Sequence, residues 1–227
     1  MKTMMKVLAF LAIVAIVVNG EGYKFTQPKY PCAYEMKMSM KQDGKVEEYM
    51  TLKVNGRYLW MNSKKIDDMT VVYRPDINKK EDGVEMLLGA GIMDGECLVQ
   101  YVSLKDYLEI LSSTLESAFQ GLDNYTWAHK EEGEYNGKKC TVYYDTEIDQ
   151  GAIYVYEGYI YVVHSWSYDL IIENKWEAPM ESFVLKECKK ENSKLADTPS
   201  ESYIFCAASN LKVAFITILV ALLSALF

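Results

Sequence analysis

The side chains best suited to acid–base chemistry at neutral pH are the two histidines, His129 and His164. His129 is predicted to face Tyr144 across a hairpin, and a single inward histidine beside a tyrosine is typical of a hydrogen-bonded core residue. The chain has no serine–histidine–aspartate arrangement, no glycine-rich phosphate loop and no paired-cysteine motif. These patterns predict a protein that is not an enzyme and that needs no cofactor.

A second candidate site is a group of three carboxylates at alternate positions, as in a calcium-binding loop. The stretch Asp145-Thr146-Glu147-Ile148-Asp149-Gln150-Gly151 lacks glycine at the sixth position of such a loop, and its twelfth position is Tyr156 instead of glutamate. The pattern therefore favours a charged turn. No metal ligand is assigned, and calcium at the three carboxylates is the alternative.

Apolar segments at both ends of the chain indicate export and membrane attachment. Residues 1–20 combine two early lysines, an apolar run and a small-residue end, which predicts a secretory signal peptide. The final stretch, VAFITILVALLSALF, carries no charge after it, which is typical of a GPI-attachment signal that is removed. We expect this signal to cover residues 203–227, with the lipid on Ser200. Attachment in the Ser209 region and a true membrane span are the alternatives.

Between these ends the pattern predicts one β-rich domain, residues 21–189, and a polar stalk, residues 190–202. Loss of the two ends removes three lysines and no acidic residue, which lowers the net charge from −8 to about −11. Such an acidic domain has no surface that neutralises phosphates, which argues against nucleic acid as a partner. We expect the protein to reach the outer face of the plasma membrane through the secretory pathway.

The cysteine count agrees with an exported chain. Four cysteines lie in the body of the chain, and an even number in a secreted protein indicates two disulfide bonds, for which three pairings are possible. They are Cys32, Cys97, Cys140 and Cys188. The sequon Asn124-Tyr125-Thr126 predicts a glycan on Asn124.

The stretch YEMKMSMK, which begins at Tyr34, alternates apolar and polar residues and predicts a strand with one buried face. Three methionines on that face are unusual because methionine is a weaker strand former than valine or isoleucine. A hairpin at VNGR, residues 54–57, is expected to place Met50 opposite Met61 on the same face. Either these methionines line a pliable surface for an apolar ligand, or they fill an ordinary core.

Further turns and one helix complete the expected elements. Asn136-Gly137 and Glu157-Gly158 predict two more hairpins. Ser103 resembles a helix N-cap, and apolar residues then recur at three- and four-residue spacing as far as Phe119. The stretch from Ile77 to Glu96 is expected to be a long loop, with its apolar half as a movable cover.

This order of elements resembles the LolA-like superfamily, the half-barrel shared by bacterial lipoprotein carriers and the secreted ependymin-related proteins. The similar stretches fall within about residues 31–188 and are PCAYEMKMSMK, VNGRYLWMN, Tyr73-Arg74-Pro75-Asp76, Trp127 leading to YNGKKCTVYY, and ESFVLKEC. The resemblance implies an α+β fold in which a curved antiparallel sheet packs around one main amphipathic helix. It also implies the disulfide pairs Cys32–Cys140 and Cys97–Cys188.

The same resemblance implies an apolar ligand held between the sheet and the helix. The implied ligand-binding residues are Tyr34, Met36, Met38, Met40, Met50, Leu52, Leu59, Met61, Leu108, Leu111, Leu115 and Phe119. The first hypothesis is a GPI-anchored, non-enzymatic protein that binds a lipid or other apolar small molecule. The alternative is an adhesion or recognition module that contacts surface proteins through an exposed face rich in tyrosine and tryptophan.

Overall fold

The computed structural model describes residues 22–26, 28, 30–64, 69–93, 95–107, 125–185, 188 and 193–201. The predicted signal peptide, the glycan acceptor Asn124 and the predicted GPI signal lie outside these ranges. The strands within them are β1 Tyr23–Lys24, β2 Ala33–Gln42, β3 Lys45–Asn55, β4 Tyr58–Ser63, β5 Met69–Glu81, β6 Val84–Met93, β7 Glu96–Ser103, β8 Thr126–Trp127, β9 His129–Tyr135, β10 Lys138–Tyr144, β11 Gly151–Tyr156, β12 Tyr159–Ser165 and β13 Tyr168–Lys175.

Eleven of these strands form one antiparallel sheet, in the order β7-β6-β5-β4-β3-β2-β13-β12-β11-β10-β9. The sheet is curved and open, since β7 and β9 are its two edges. Sequential hairpins form one half of the sheet from β2 to β7 and the other half from β9 to β13. The two halves are joined by the pairing of β2 with β13, in which Met38 lies opposite Ile172. A separate two-stranded sheet pairs β1 with β8. The prediction of an extensive curved antiparallel sheet is confirmed.

Two of the three predicted hairpins turn at the expected residues, although a bulge between Tyr154 and Val155 shifts the β11–β12 register beyond its first two pairs. Asn136 and Gly137 both have positive φ, and the register places Cys140 opposite Gly133. Glu157 and Gly158 also have positive φ and close the β11–β12 hairpin. Turns of this kind follow the right-handed twist of the strands they join, which explains why an Asn-Gly pair is a strong hairpin signal.

The first hairpin turns one residue later than predicted. Asn55 pairs with Tyr58, so the turn residues are Gly56 and Arg57 and Leu52 lies opposite Met61. Gly56 has a φ of 58°, a value that glycine adopts at little cost. The expected pairing of Met50 with Met61 is therefore wrong, but a shift of two positions leaves Leu52, Leu59 and Met61 on their expected face.

The stretch from Ile77 to Glu96, predicted to be a long loop, instead contains the end of β5, a turn and the whole of β6, which pair as a hairpin. The turn is Asp82-Gly83, with φ values of 49° and 81°, and β6 continues from Val84 to Met93 between β5 and β7. Because β6 is paired on both sides, the movable cover expected from residue 84 to residue 93 is wrong. The Asp-Gly pair was a turn signal of the same kind as Asn-Gly.

One face of the sheet carries the main apolar core and is called here the methionine face. Side chains from both halves of the sheet meet on it, which is the result of period-two alternation along each strand. Its buried members include Tyr34, Met36, Met38, Met50, Leu52, Val54, Leu59, Leu87, Ile153, Ile160, Leu170 and Ile172, with Met40 and Met61 packed against them.

The opposite face of β4 to β7 is covered by the chain that follows β13. Phe183, Leu185 and Leu195 are at most 2% exposed and pack with Tyr58 and Leu88. Leu185 and Leu195 are joined by a backbone hydrogen bond of 3.0 Å. The polar stalk expected at 190–202 is therefore not a free stalk over residues 193–201, because Leu195 supplies apolar surface to the domain.

An ion pair and a disulfide fasten this covering segment. Arg74 is 2% exposed and makes two hydrogen bonds to Asp76, at 2.8 and 2.7 Å. The same guanidinium donates to the carbonyls of Phe183 and Asp197, at 3.2 and 2.9 Å. The Cys97–Cys188 disulfide ties β7 to the segment as well, as the family resemblance implied.

The other implied disulfide, Cys32–Cys140, is wrong. Cys32 is disulfide-bonded, but Cys140 is a free thiol that is 1% exposed. Cys140 packs with Tyr161 and Ile171 on the face of β10 to β13 opposite the methionine face. A small apolar core position is a common place for a free cysteine.

The main amphipathic helix is not confirmed. Residues 104–107 are helical, and the Ser103 hydroxyl accepts a hydrogen bond of 3.0 Å from the Asp106 backbone N–H, as an N-cap does. Leu108, Leu111, Leu115 and Phe119 lie outside the described residues. In the part of the chain that is described, no helix has the length and apolar character needed to span a bilayer.

Candidate functional site

The predicted ligand-binding residues of the sheet come together at the centre of the methionine face. Register places Met36 opposite Leu52 and Met38 opposite Met50, on the neighbouring strands β2 and β3. These four side chains are 0% exposed, and Tyr34 beside them is also fully buried. Leu59 is 5% exposed, while Met40 and Met61 are partly buried at the borders of the cluster.

The type of these side chains gives the face its character. Methionine is unbranched, has three rotatable bonds and carries a polarizable sulfur, so it fits apolar partners of varied shape. Strands of this length more often bury β-branched residues, which are held in few rotamers. A face centred on Met36, Met38 and Met50 can therefore change its contour at lower cost than one built from valine or isoleucine.

A bulge adds a tyrosine to the face. The β2–β3 register slips between Met38 and Ser39, and Tyr49 is the extra residue on β3. Both Tyr49 and its neighbour Met50 are buried in the same core, since a bulge interrupts the strict alternation of a strand. Sequence alternation placed Tyr49 on the other face, and nothing in the local residue pattern marks the bulge.

Three buried polar atoms of this core have no hydrogen-bond partner among the residues that the structure describes. They are the hydroxyls of Tyr34 and Tyr49 and the indole Nε1 of Trp127. Tyr34, Tyr49 and Trp127 are 0%, 1% and 2% exposed. Each such group costs about 1–3 kcal/mol relative to one that keeps a partner. Phenylalanine would fill the two tyrosine positions without that cost, so the hydroxyls are a feature that packing does not explain.

The two hydroxyls remain protonated at all ordinary pH values. Burial, with a smaller effect of the neighbouring Tyr107, raises the pKa of Tyr34 far above its usual range. Burial, and then Tyr168, raises the pKa of Tyr49 to about 12. Both side chains can therefore donate a hydrogen bond in the dry core.

The methionine face continues into a cleft at the far half of the sheet. This cleft has a volume of about 360 Å³ and contains Phe25, Tyr143 and Val155, which belong to the same core. Glu132 and Lys139 also line it and make it partly polar. Its size is at the lower end of the range for small-molecule sites.

The histidines are not brought together. His129 was predicted to point inward, but it is exposed on edge strand β9 and stacks on the Tyr144 ring at 4.9 Å. His164 is on the face opposite the methionine face, where its Nδ1 lies within hydrogen-bond distance of Asp169. The other carboxylate oxygen of Asp169 accepts from the Tyr135 hydroxyl at 2.5 Å. This network joins β9, β12 and β13 and supports the tyrosine cluster around it.

The aromatic residues proposed for adhesion are only partly exposed. Tyr161 is 5% exposed, and Tyr135, Tyr154 and Tyr156 pack beside it. The side of β4 that carries Tyr58 is covered by the segment after β13. The large exposed rings lie elsewhere: Trp166 is 74% exposed at a turn, and Trp176 is 43% exposed beside Tyr159, with ring centres 4.5 Å apart.

The first carboxylate of the calcium-like stretch makes hydrogen bonds that connect parts of the fold. Asp145 accepts hydrogen bonds from the Tyr125 hydroxyl and from the Ala128 N–H, and so connects β10 to the chain before β9. Ile148–Gln150 forms a single 3₁₀ turn. Among the residues that the structure describes, no group of three histidine, cysteine or acidic side chains is arranged to hold a metal ion.

Comparisons with known proteins give little more. No protein-family model matches the chain, and no curated protein matches it either. Among solved structures, the chain has a weak similarity to a DUF1329 family protein from Desulfovibrio piger, at 11% sequence identity and a TM-score of 0.24. The similarity covers 77% of this chain and 90% of that chain. At that score it supports no argument about function, which must come from the site itself.

Proposed function

We propose that this protein is a secreted, GPI-anchored and non-enzymatic surface protein that binds a lipid or other apolar small molecule on the methionine face. The observation that carries the proposal is the cluster of Met36, Met38 and Met50, fully buried at the centre of an apolar face that spans both halves of the sheet. An adaptable apolar surface next to a partly open cleft suits a ligand recognised by its apolar body. The resemblance to LolA-like and ependymin-related proteins leads to the same ligand class.

Export and anchoring rest on other features. The Cys97–Cys188 disulfide is typical of a protein made in an oxidising compartment, in agreement with the predicted signal peptide. The backbone of Ser200 is held at the domain surface, since its carbonyl accepts from Tyr58 at 2.5 Å and its N–H donates to Asp76 at 3.3 Å. A lipid attached to Ser200 would hold the domain close to the membrane. Release by a GPI-cleaving phospholipase tests the anchor, and recovery of intact 213–227 peptides from the mature protein would contradict it.

The ligand is tested by titration with a fluorescent fatty-acid analogue. Met38→Trp places a larger side chain at the centre of the methionine face, and we expect the affinity for the probe to fall at least tenfold. Lys37→Trp is the matched control, because Lys37 is the neighbouring residue on the opposite, partly exposed side of β2. The proposal is rejected if the wild-type protein binds no probe, or if both variants weaken binding equally.

A second candidate function is recognition of a surface partner through exposed aromatic rings. Trp166 and the Trp176–Tyr159 pair favour it, because aromatic side chains contribute strongly to binding when exposed. This function would be supported if Trp166→Ala or Trp176→Ala abolished attachment of cells to the immobilised protein while probe binding stayed unchanged. Retained attachment in both variants would remove it.

A further inference from the structure

We infer that the ligand of the methionine face is an amphiphile with a neutral head group that carries hydrogen-bond acceptor oxygens, such as an acyl ester. This inference rests on the proposed function and specifies its ligand class. It starts from three buried polar atoms of this core that have no partner within the described part of the chain, the hydroxyls of Tyr34 and Tyr49 and the indole Nε1 of Trp127. A pure hydrocarbon ligand would leave all three polar atoms without a hydrogen-bond partner.

The chemistry of these groups defines what they can bind. An indole N–H only donates, and a buried tyrosine hydroxyl is both donor and acceptor. A ligand group that accepts a hydrogen bond from the indole N–H or from either tyrosine hydroxyl must present an acceptor oxygen. Ester, amide and hydroxyl groups meet this condition, while an alkane does not.

The positions of the two tyrosines explain why the ligand also needs an apolar body. Tyr34 is opposite Val54 on β3, while Tyr49 is at the level of Met38 and Ser39 on β2. At the rise of a strand the two positions are about 15 Å apart. The side chains of Met36, Met38, Met50 and Leu52 occupy the interval, so each tyrosine stands at one end of an apolar strip.

The charges around the face favour a neutral head group. A buried carboxylate needs a paired cation, since desolvation of an unpaired charge is costly. Of the described cations only Arg74 is buried, and it is bound to Asp76 on the other side of the sheet. Arg57 lies by Tyr107 and is only partly buried. An ester oxygen can be satisfied by a tyrosine hydroxyl without any cation.

The test is a displacement titration on the full mature protein with three ligands of similar length: heptadecane, methyl palmitate and ionised palmitate at pH 8. For the wild type we expect methyl palmitate to bind about tenfold more tightly than either of the other two, which is the effect of one buried hydrogen bond. Tyr34→Phe or Tyr49→Phe, whichever contacts the head group, should remove that tenfold preference by weakening the binding of methyl palmitate. Tyr58→Phe is the control, because this buried hydroxyl lies on the opposite face and is bonded to Ser200.

Each outcome decides the question. If heptadecane binds as tightly as methyl palmitate, or if neither phenylalanine variant changes the preference, the inference is wrong while the proposed apolar ligand stands. Tighter binding of ionised palmitate would overturn the neutral head group. If none of the three ligands displaces the probe, the proposed function itself fails, and the inference fails with it.

Discussion

The ion pair under the C-terminal covering segment is expected to make a large contribution to stability. Asp76→Asn keeps the size of the side chain and removes its charge. The change leaves the Arg74 guanidinium, which is 2% exposed, with two backbone carbonyls and no counter-charge. Loss of one partner from a buried ion pair costs about 3–5 kcal/mol, because an uncompensated charge stays in the interior.

That energy corresponds to a large shift in thermal unfolding. For a domain of this size each kcal/mol lowers Tm by about 2–4 °C, so the variant should melt roughly 10 °C below the wild type. Because Arg74 also holds the carbonyls of Phe183 and Asp197, limited proteolysis should cut the segment after β13 more readily. Differential scanning calorimetry and timed proteolysis at 25 °C measure the two effects.

An exposed ion pair on the same strand, β5, provides a matched control for the buried pair. Lys79 and Glu81 form an ion pair of 2.9 Å, with the two side chains 43% and 58% exposed. Glu81→Gln breaks this pair and should change the free energy of unfolding by less than about 1 kcal/mol, because exposed pairs contribute little. Equal melting temperatures for Asp76→Asn and Glu81→Gln would refute the claim that burial makes the first pair important.

Three more predictions concern the buried side chains. Tyr34→Phe should raise the free energy of unfolding of the ligand-free protein by removing an unpartnered hydroxyl, whereas Tyr58→Phe should lower that free energy by about 1 kcal/mol through loss of a bond to a carbonyl. Calorimetry of both variants decides whether the signs differ. The contribution of Tyr49 to stability should be fully present below about pH 10 and should be lost as pH rises toward 12, since unfolded tyrosine ionises near pH 10 while folded Tyr49 does so at about 12. Alkaline unfolding followed by circular dichroism measures this, and Tyr49→Phe should shift the transition to higher pH. Cys140 should react with a thiol reagent only after denaturation, as its 1% exposure requires, and rapid labelling of the native protein would contradict its position.

Much of the sheet could be predicted because its signals are local. Alternation along YEMKMSMK places the three methionines correctly, and the Asn136-Gly137 turn sets the register of its hairpin. The turn at Gly56 lies one residue later than predicted, but this changes the register by two positions. A change of two positions keeps Leu52 and Met61 on the same face of the sheet. These outcomes depend on properties of short segments, which a single sequence contains.

The parts that were missed depend on contacts between distant segments. The bulge at Tyr49 breaks the alternation of β3 and is visible only in its pairing with β2. The packing of Leu195 against the sheet depends on Arg74, more than a hundred residues earlier, and a polar stretch with few apolar residues gave no sign of it. The pairing of cysteines is undetermined by sequence for the same reason. The hairpin at Asp82-Gly83 is different, because its signal was present in the sequence.

Native mass spectrometry of the protein, released from the surface of its own cells with a GPI-cleaving phospholipase and purified without detergent, tests the central claim most directly. The mature chain should carry an additional mass that collisional activation releases, and organic extraction of the same sample should yield an uncharged acyl ester or a related lipid. The purified Met38→Trp variant should lack that additional mass, while the Lys37→Trp variant should retain it. A wild-type protein that shows only the mass of its own chain, glycan and anchor would contradict the account.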